Sequence, residues 1–549
     1  MIGVVARADQ TSAVQEFFEL FKTPWEPYVP GRSYDVVIAP RDRVPRPACK
    51  LLVVHGASSG DVDTAHGLVE LRRTQGGTFH ASGRNVPIYG DVSEFTHGPG
   101  ATPCVHGSGV LGVSMRQGAA TIVRLGYDLF DEVSMLIAEG QPATHAAVPT
   151  LDIHVQMLRD WIARAGVALI EIPPAPAGFR FVACLTHDID FVGIRRHLFD
   201  HTMWGFLWRA TAGAARNVWR GRLPAGKLFE TWRAVASLPA VYLGLAKDFW
   251  EPFDWYLRVE GKRPATYYLI PFKHQQGTGM PGPRRSRRAV VYDIADIPGA
   301  VRALLEAGCE IGVHGIDAWH NPASARAELE RVVSVTGSRH AGVRMHWLFR
   351  DAQTPATLDE AGYMYDSTGG YNETIGYRNG TTQVFRPLGA RMLLELPLHI
   401  QDGALFFANR LDLPAGEAYE RCRALFDHAA SAGGVMTLLW HDRSHAPERF
   451  WGDFYRSLLH RLDSYGVWFA TARQAVEWFR ARRMARFESA SYGGRTRVRL
   501  RYDGPPIDPP LKVVLHCPSH ATPSGMSWNG STPLECEIST VARAVGAAV

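Results

Sequence analysis

Between Leu185 and Asp190 the chain reads L-T-H-D-I-D, directly after the apolar run F-V-A-C. Asp188 and Asp190 are two residues apart, so in an extended backbone their side chains point to the same side. Two carboxylates so placed repel unless a cation lies beside them, which suits a metal ligand next to a general base. Further groups of this kind stand later in the chain. His314 follows E-I-G-V, and Gly315 leaves room for a close approach to this common type of metal ligand. Arg344 and His346 alternate along G-V-R-M-H-W and so share a face. His441 ends V-M-T-L-L-W-H and is followed by Asp442 and Arg443. Each alone reads as a polar strand end; consecutive strand ends supplying Asp, His, Arg/His and His are an uncommon coincidence.

These residues share one context. Short apolar runs at 181–185, 265–270, 310–314, 342–346, 363–366, 393–399, 434–441 and 467–470 predict strands. Helical patterns fall between several of them, as at 297–307 and 417–432. Strands alternating with helices predict a parallel α/β sheet, open or closed into a barrel, whose functional groups gather where strands end. Residues 180–485 form this unit. Residues 1–175 read as a separate α/β domain of unassigned role, with strands at 34–40 and 50–56 and helices opening near Ser12 and Thr150. The proline-rich E-I-P-P-A-P-A-G, 171–178, marks the boundary. Residues 486–549 read as a small β-rich extension. Within the barrel unit, 195–250 form a helical insertion with nine Lys/Arg against three Asp/Glu, and with Trp204, Trp208, Trp219, Trp232 and Trp250. Such a segment suits a lid, a surface packed on the barrel, or peripheral contact with an anionic inner membrane.

The ordered motifs T-H-D-I-D, E-I-G-V-H-G, G-V-R-M-H-W and L-L-W-H resemble those of the polysaccharide deacetylase superfamily over about 180–480. The resemblance is strongest to a bacterial subgroup with an N-terminal α/β domain, through Y-N-E-T-I-G-Y-R-N-G-T, L-E-L-P-L-H-I-Q-D and W-H-D-R-S. It implies a distorted (β/α)7-type barrel and a metal-dependent carbohydrate de-N-acetylase. It also implies Asp188 as general base, Arg344 as its partner and His441 as general acid. Asp190 and His314 would hold a divalent metal, zinc being the common choice. The superfamily's usual further histidine is Ala318 here. His346 is expected in its place from strand-end geometry, with His320 next, while His187 alternates to the other side. Trp347, Glu373 and Asp402 are the expected contacts to the glycan substrate, and Asp317 is a further acid at a loop position.

The bulk properties narrow the classes. At 549 residues the chain exceeds one hydrophobic core. Its 46% hydrophobic and 21% charged residues are ordinary for a globular protein. A net charge of +5 gives no reason to expect nucleic acid. No apolar run reaches membrane-spanning length, and the seven cysteines lack C-x-x-C spacing, so reduced thiols and a cytoplasmic location are expected. G-S-G-V-L-G (107–112) mimics a dinucleotide fingerprint after a poor strand, and G-A-S-S-G (56–60) mimics a nucleophile elbow; both are expected to be turns. The alternatives to a deacetylase are a glycoside hydrolase using Asp188 with Glu373 or Asp402, and a non-catalytic glycan-binding protein. The oligomeric state is not legible.

Overall fold

The computed structural model describes residues 1–539 except 47, 97–99, 222, 280–287, 493–494 and 518–523. Near the N-terminus a nine-stranded sheet begins with parallel strands Trp25–Pro27, Ile2–Val4, Val36–Pro40, Leu51–His55 and Ala120–Leu125. Val36–Pro40 and Leu51–His55 are buried along their whole length, as continuous apolar runs in a parallel sheet should be. Long antiparallel strands between 70 and 117 extend the sheet. Helices Thr11–Phe21, Leu129–Ala138 and Thr150–Arg164 bury Phe17, Phe130, Leu136 and Leu158 in one core with it.

Neither look-alike motif has the surroundings its function needs, and in the first only Gly107–Gly109 form a turn, Val110–Gly112 opening a strand. Gly107–Gly109 join antiparallel strands Ala101–His106 and Val110–Gln117. The first of these is a strand despite Pro103, because the pairing is irregular at that residue. Ser58 does sit at φ +69 between a strand and a short helix, but its hydroxyl donates to the Ala57 carbonyl at 2.5 Å.

The central unit is a curled parallel sheet, a distorted (β/α) barrel. Its strands are β1 (Val182–Ile189), β2 (Ala265–Leu269), β3 (Glu310–Gly315), β4 (Val343–Met345), β5 (Tyr365–Asp366), β6 (Leu394–Glu395), β7 (Ile400–Gln401) and β8 (Val435–Leu439). Their order is β6-β5-β4-β3-β2-β1-β8-β7. The run 393–399, expected as one strand, is split. Pro397 has no N–H for a ladder, so the chain pairs with β5 before it and with β8 after it. Leu396 N–H donates to Asp366 O at 2.7 Å and His399 N–H to Thr437 O at 3.2 Å, so one segment bridges both edges of the curl. Trp468–Phe469 pairs with the start of β1.

The other parts clamp the barrel. Strand Leu169–Glu171 completes a three-stranded sheet with Leu511–His516 and Ser524–Trp528 of the C-terminal extension, whose other strands form a second three-stranded sheet. Arg482, fully buried, donates to the carbonyls of Leu20 and Ile172. Residues 371–383, which leave the barrel mouth, are held by the N-terminal unit. The Tyr371 hydroxyl donates to Gln141 O, Asn379 Nδ2 to Leu136 O, and Thr381 and Thr382 to the Asp152 carboxylate. At Gly376 the backbone has φ +142, and a Cβ there would lie 2.1 Å from the Ala146 carbonyl. Gly376→Ala is therefore expected to destabilise the protein by roughly 2 kcal/mol or more. An unchanged melting temperature would contradict this seating of the loop.

Candidate active site

The C-terminal ends of β1, β3, β4 and β8 surround a cavity of about 540 Å³ lined by Asp188, Asp190, His314, His346 and His441. Asp188 is the last residue but one of β1, and its Oδ1 accepts from Arg344 at 3.0 Å. The Arg344 guanidinium is fully buried. It also donates to the Thr186 hydroxyl at 2.8 Å, to the Ser367 hydroxyl at 2.8 Å and to the Ser367 carbonyl at 3.0 Å, and lies 4.5 Å over the Tyr268 ring. Burial disfavours its charge, but Asp188 and Tyr268 outweigh burial and its pKa is raised.

Asp190, His314 and His346 converge. Each offers a ligand atom, and the three atoms lie within 4.8 Å of one another. Asp190 Oδ1 is 3.3 Å from His314 Nε2 and 3.8 Å from His346 Nδ1. His314 Nδ1 lies 3.0 Å from the Arg344 carbonyl, which can only accept. Nδ1 therefore carries a proton, and Nε2 is the ring atom that faces Asp190. The two imidazoles stack with centroids 5.0 Å apart. Asp190 Oδ1 and His346 Nδ1 are buried without a hydrogen-bond partner, a costly state that a shared cation relieves. Burial pushes the His346 pKa down to about 3, with the charges of His314, Arg288 and His441 acting in the same direction and Asp190 against. A neutral imidazole is the form that binds metal. One carboxylate and two imidazoles beside the cavity fit a divalent metal ion.

Across the cavity, His441 Nδ1 is 2.6 Å from Asp402 Oδ1, while the other Asp402 oxygen accepts from the His441 N–H at 2.8 Å and from the Ser444 hydroxyl. Burial lowers the His441 pKa, but Asp402, Asp190 and Asp188 outweigh it and raise it to about 9. His441 is thus a cation near neutral pH, facing the Asp188 side of the cavity.

Two expected substrate contacts need correction. Asp402 is fully buried beneath His441, because its carboxylate satisfies the imidazole and the start of the turn after β8. Glu373 is exposed, since Tyr371 is anchored inward and Asn372, not Glu373, lines the cavity. Trp347 does line it, at φ +66, followed by Leu348 at φ +55. Asn372 Nδ2 donates to the Trp347 carbonyl at 2.9 Å and helps to hold that unfavourable backbone. Ala318 lies in the apolar core, so no fourth imidazole stands there. His187 bonds Glu260 and the Trp440 carbonyl on the far side of β1, and His320 bonds Thr278. Asp317 accepts from Thr278 and Gln275. Reading the sequence missed Arg410, Arg449 and Phe407, which also line the cavity; no pattern in their loops singles them out.

No family model matches the sequence, and no curated protein matches it. Solved structures do match in part. One is a protein assigned as a polysaccharide deacetylase from Mycobacterium smegmatis, 20% identical over 57% of this chain and 96% of that one, with TM-score 0.34. Another, assigned likewise from Pseudomonas aeruginosa PAO1, is 15% identical over 56% and 94%, with TM-score 0.34. Puue allantoinase is 14% identical over 56% and 92%, with TM-score 0.33.

Replacing Arg344 with Met leaves Asp188 buried without its hydrogen-bonded arginine and is expected to destabilise the fold by about 3–5 kcal/mol. Asp188→Asn combined with Arg344→Met should restore part of that loss in chemical denaturation. A double variant no more stable than Arg344→Met would contradict the coupling.

Proposed function

We propose that the chain is a metal-dependent deacetylase that hydrolyses the acetamide of an N-acetylated sugar in a polysaccharide, oligosaccharide or lipid-linked glycan. One observation carries the reading: three converging ligand atoms share one cavity with a carboxylate anchored by arginine and an imidazole paired with a buried carboxylate. The motif resemblance over 180–480 supports the same chemistry. A cavity of about 540 Å³ suits a sugar-sized group, and Trp347 offers a ring for its apolar face.

A divalent cation held by Asp190, His314 and His346 would polarise the amide carbonyl and make a nearby water more acidic. Asp188, fixed through one oxygen by Arg344, presents the other towards the cavity to take the proton of the attacking water. His441, charged and oriented by Asp402, gives a proton to the departing amine. Its pKa of about 9 stays close enough to neutral for that transfer. The glycosidase pairings of Asp188 with Glu373 or Asp402 gain no support, because Asp402 is bonded to His441 and Glu373 does not line the cavity.

The purified protein supplied with zinc should release acetate from N-acetylhexosamine oligosaccharides, and Asp188→Asn should lower the rate by roughly 10²–10⁴-fold. Wild type and variant equally inactive across a broad panel would refute the proposal.

The pH profile offers a second test. The acid must be protonated, so activity should fall as pH rises through about 9. Asp402 is a cause of that high value, so Asp402→Asn should move the alkaline limb to lower pH. An unmoved limb would remove His441 from the role.

A further inference from the structure

Among the described residues sixteen large hydrophobics are exposed, and nine of them lie between 198 and 245, including all four exposed tryptophans. A concentration of this kind marks a docking surface. The insertion that carries it is a helical hairpin. Its first arm runs from α1 (His201–Trp208) through a π-helical turn, Arg209–Gly213, into α2 (Ala214–Trp219). Its second arm is α3 (Gly226–Tyr242). Phe206 and Ala210 of the first arm and Ala234, Leu238 and Val241 of the second are buried together with Trp250. The opposite stripes recur every three or four residues and face water: Trp204, Trp208, Ala212, Ala215 and Trp219 on one arm, and Phe229, Trp232 and Ala236 on the other, with exposed Leu243 just past its end. Trp219 is 84% exposed and Phe229 72%. Ala212, Ala215, Trp232 and Ala236 line one shallow groove, so the two stripes join into one apolar face.

The geometry points to the surface of an anionic lipid bilayer as the occupant of this face. Exposed Arg216, Arg220 and Arg233 stand among the aromatic residues and form no ion pair among the described residues. Tryptophan with unpaired arginine is the pairing that settles at a lipid headgroup boundary, with rings in the acyl edge and cations at phosphate. No described helix is long and apolar enough to cross a membrane, so the hairpin lies in the interface rather than spanning it. The location matters too. The first arm begins at His201 and Thr202, which line the candidate active-site cavity, and Trp204 follows less than one turn later. A bilayer seated on the hairpin therefore borders the cavity mouth, where a glycan carried on a lipid presents its sugar. That last step rests on the deacetylase reading; lipid docking does not.

The full-length protein is incubated with vesicles of phosphatidylcholine alone or mixed with phosphatidylglycerol, then sedimented. The protein should pellet with the mixed vesicles, shift its tryptophan emission to the blue, and be released by high salt. The variant Trp204→Ser/Trp208→Ser/Trp219→Ser/Trp232→Ser should bind roughly tenfold more weakly or less. Its melting temperature and zinc binding should match wild type. Arg216→Glu/Arg220→Glu/Arg233→Glu should abolish the preference for phosphatidylglycerol. Wild type left in the supernatant with both vesicles overturns the inference. So does a dimer in light scattering that the tryptophan variant dissolves, which would give the face to a second copy of the chain. Binding to vesicles without any acetate release would sustain the inference and refute the deacetylase reading.

Discussion

The Arg344 guanidinium lies wholly out of water where β1, β4 and β5 end, and the barrel mouth is organised around that fact. An isolated buried charge costs several kcal/mol, so it persists only when fully engaged. Asp188, Thr186 and Ser367 provide that engagement, and the Tyr268 ring covers one face. The consequences spread outward. Asp188 is held at one orientation, with its second oxygen directed into the cavity. The Arg344 carbonyl engages His314 Nδ1, so the residue that anchors Asp188 also sets which ring atom of His314 faces Asp190. The proposed base and one proposed metal ligand thus share one support.

The acid side is built separately but by the same logic. The segment 394–401 pairs with both β5 and β8, and Asp402 follows directly after it. Asp402 can therefore orient His441 from beneath while the strands on either side set its depth. The N-terminal unit holds the 371–383 segment that carries Asn372 to the cavity, and Asn372 supports the strained backbone of Trp347. This gives the N-terminal unit a structural part in the site, whatever else it does.

Much of this was legible in the sequence because strand ends have a parity. Asp188 and Asp190 had to face one way and His187 the other; so they do, with His187 bonded to Glu260. His346 was reachable by the same argument, although the strand stops at Met345 and a left-handed turn follows. What could not be read was the fate of groups whose partners lie far along the chain. Asp402 looks like a loop acid until His441 and Ser444, about forty residues later, fold over it. Glu373 and Asn372 differ only in which way a loop turns, and that is decided by Gln141, more than two hundred residues away. The run 393–399 has strand composition throughout; its division follows from Pro397 and from the need of both barrel edges for a partner.

The proposed chemistry requires Asp190, His314 and His346 to be ligands of one ion. Crystals of the full chain soaked in zinc and measured on either side of the zinc absorption edge test this most directly. The account predicts a single strong anomalous peak bonded at once to the Asp190 carboxylate, His314 Nε2 and the His346 imidazole, at about 2.0–2.2 Å from each. A cavity without such a peak at saturating zinc, or an ion held elsewhere with these three side chains unligated, would contradict it.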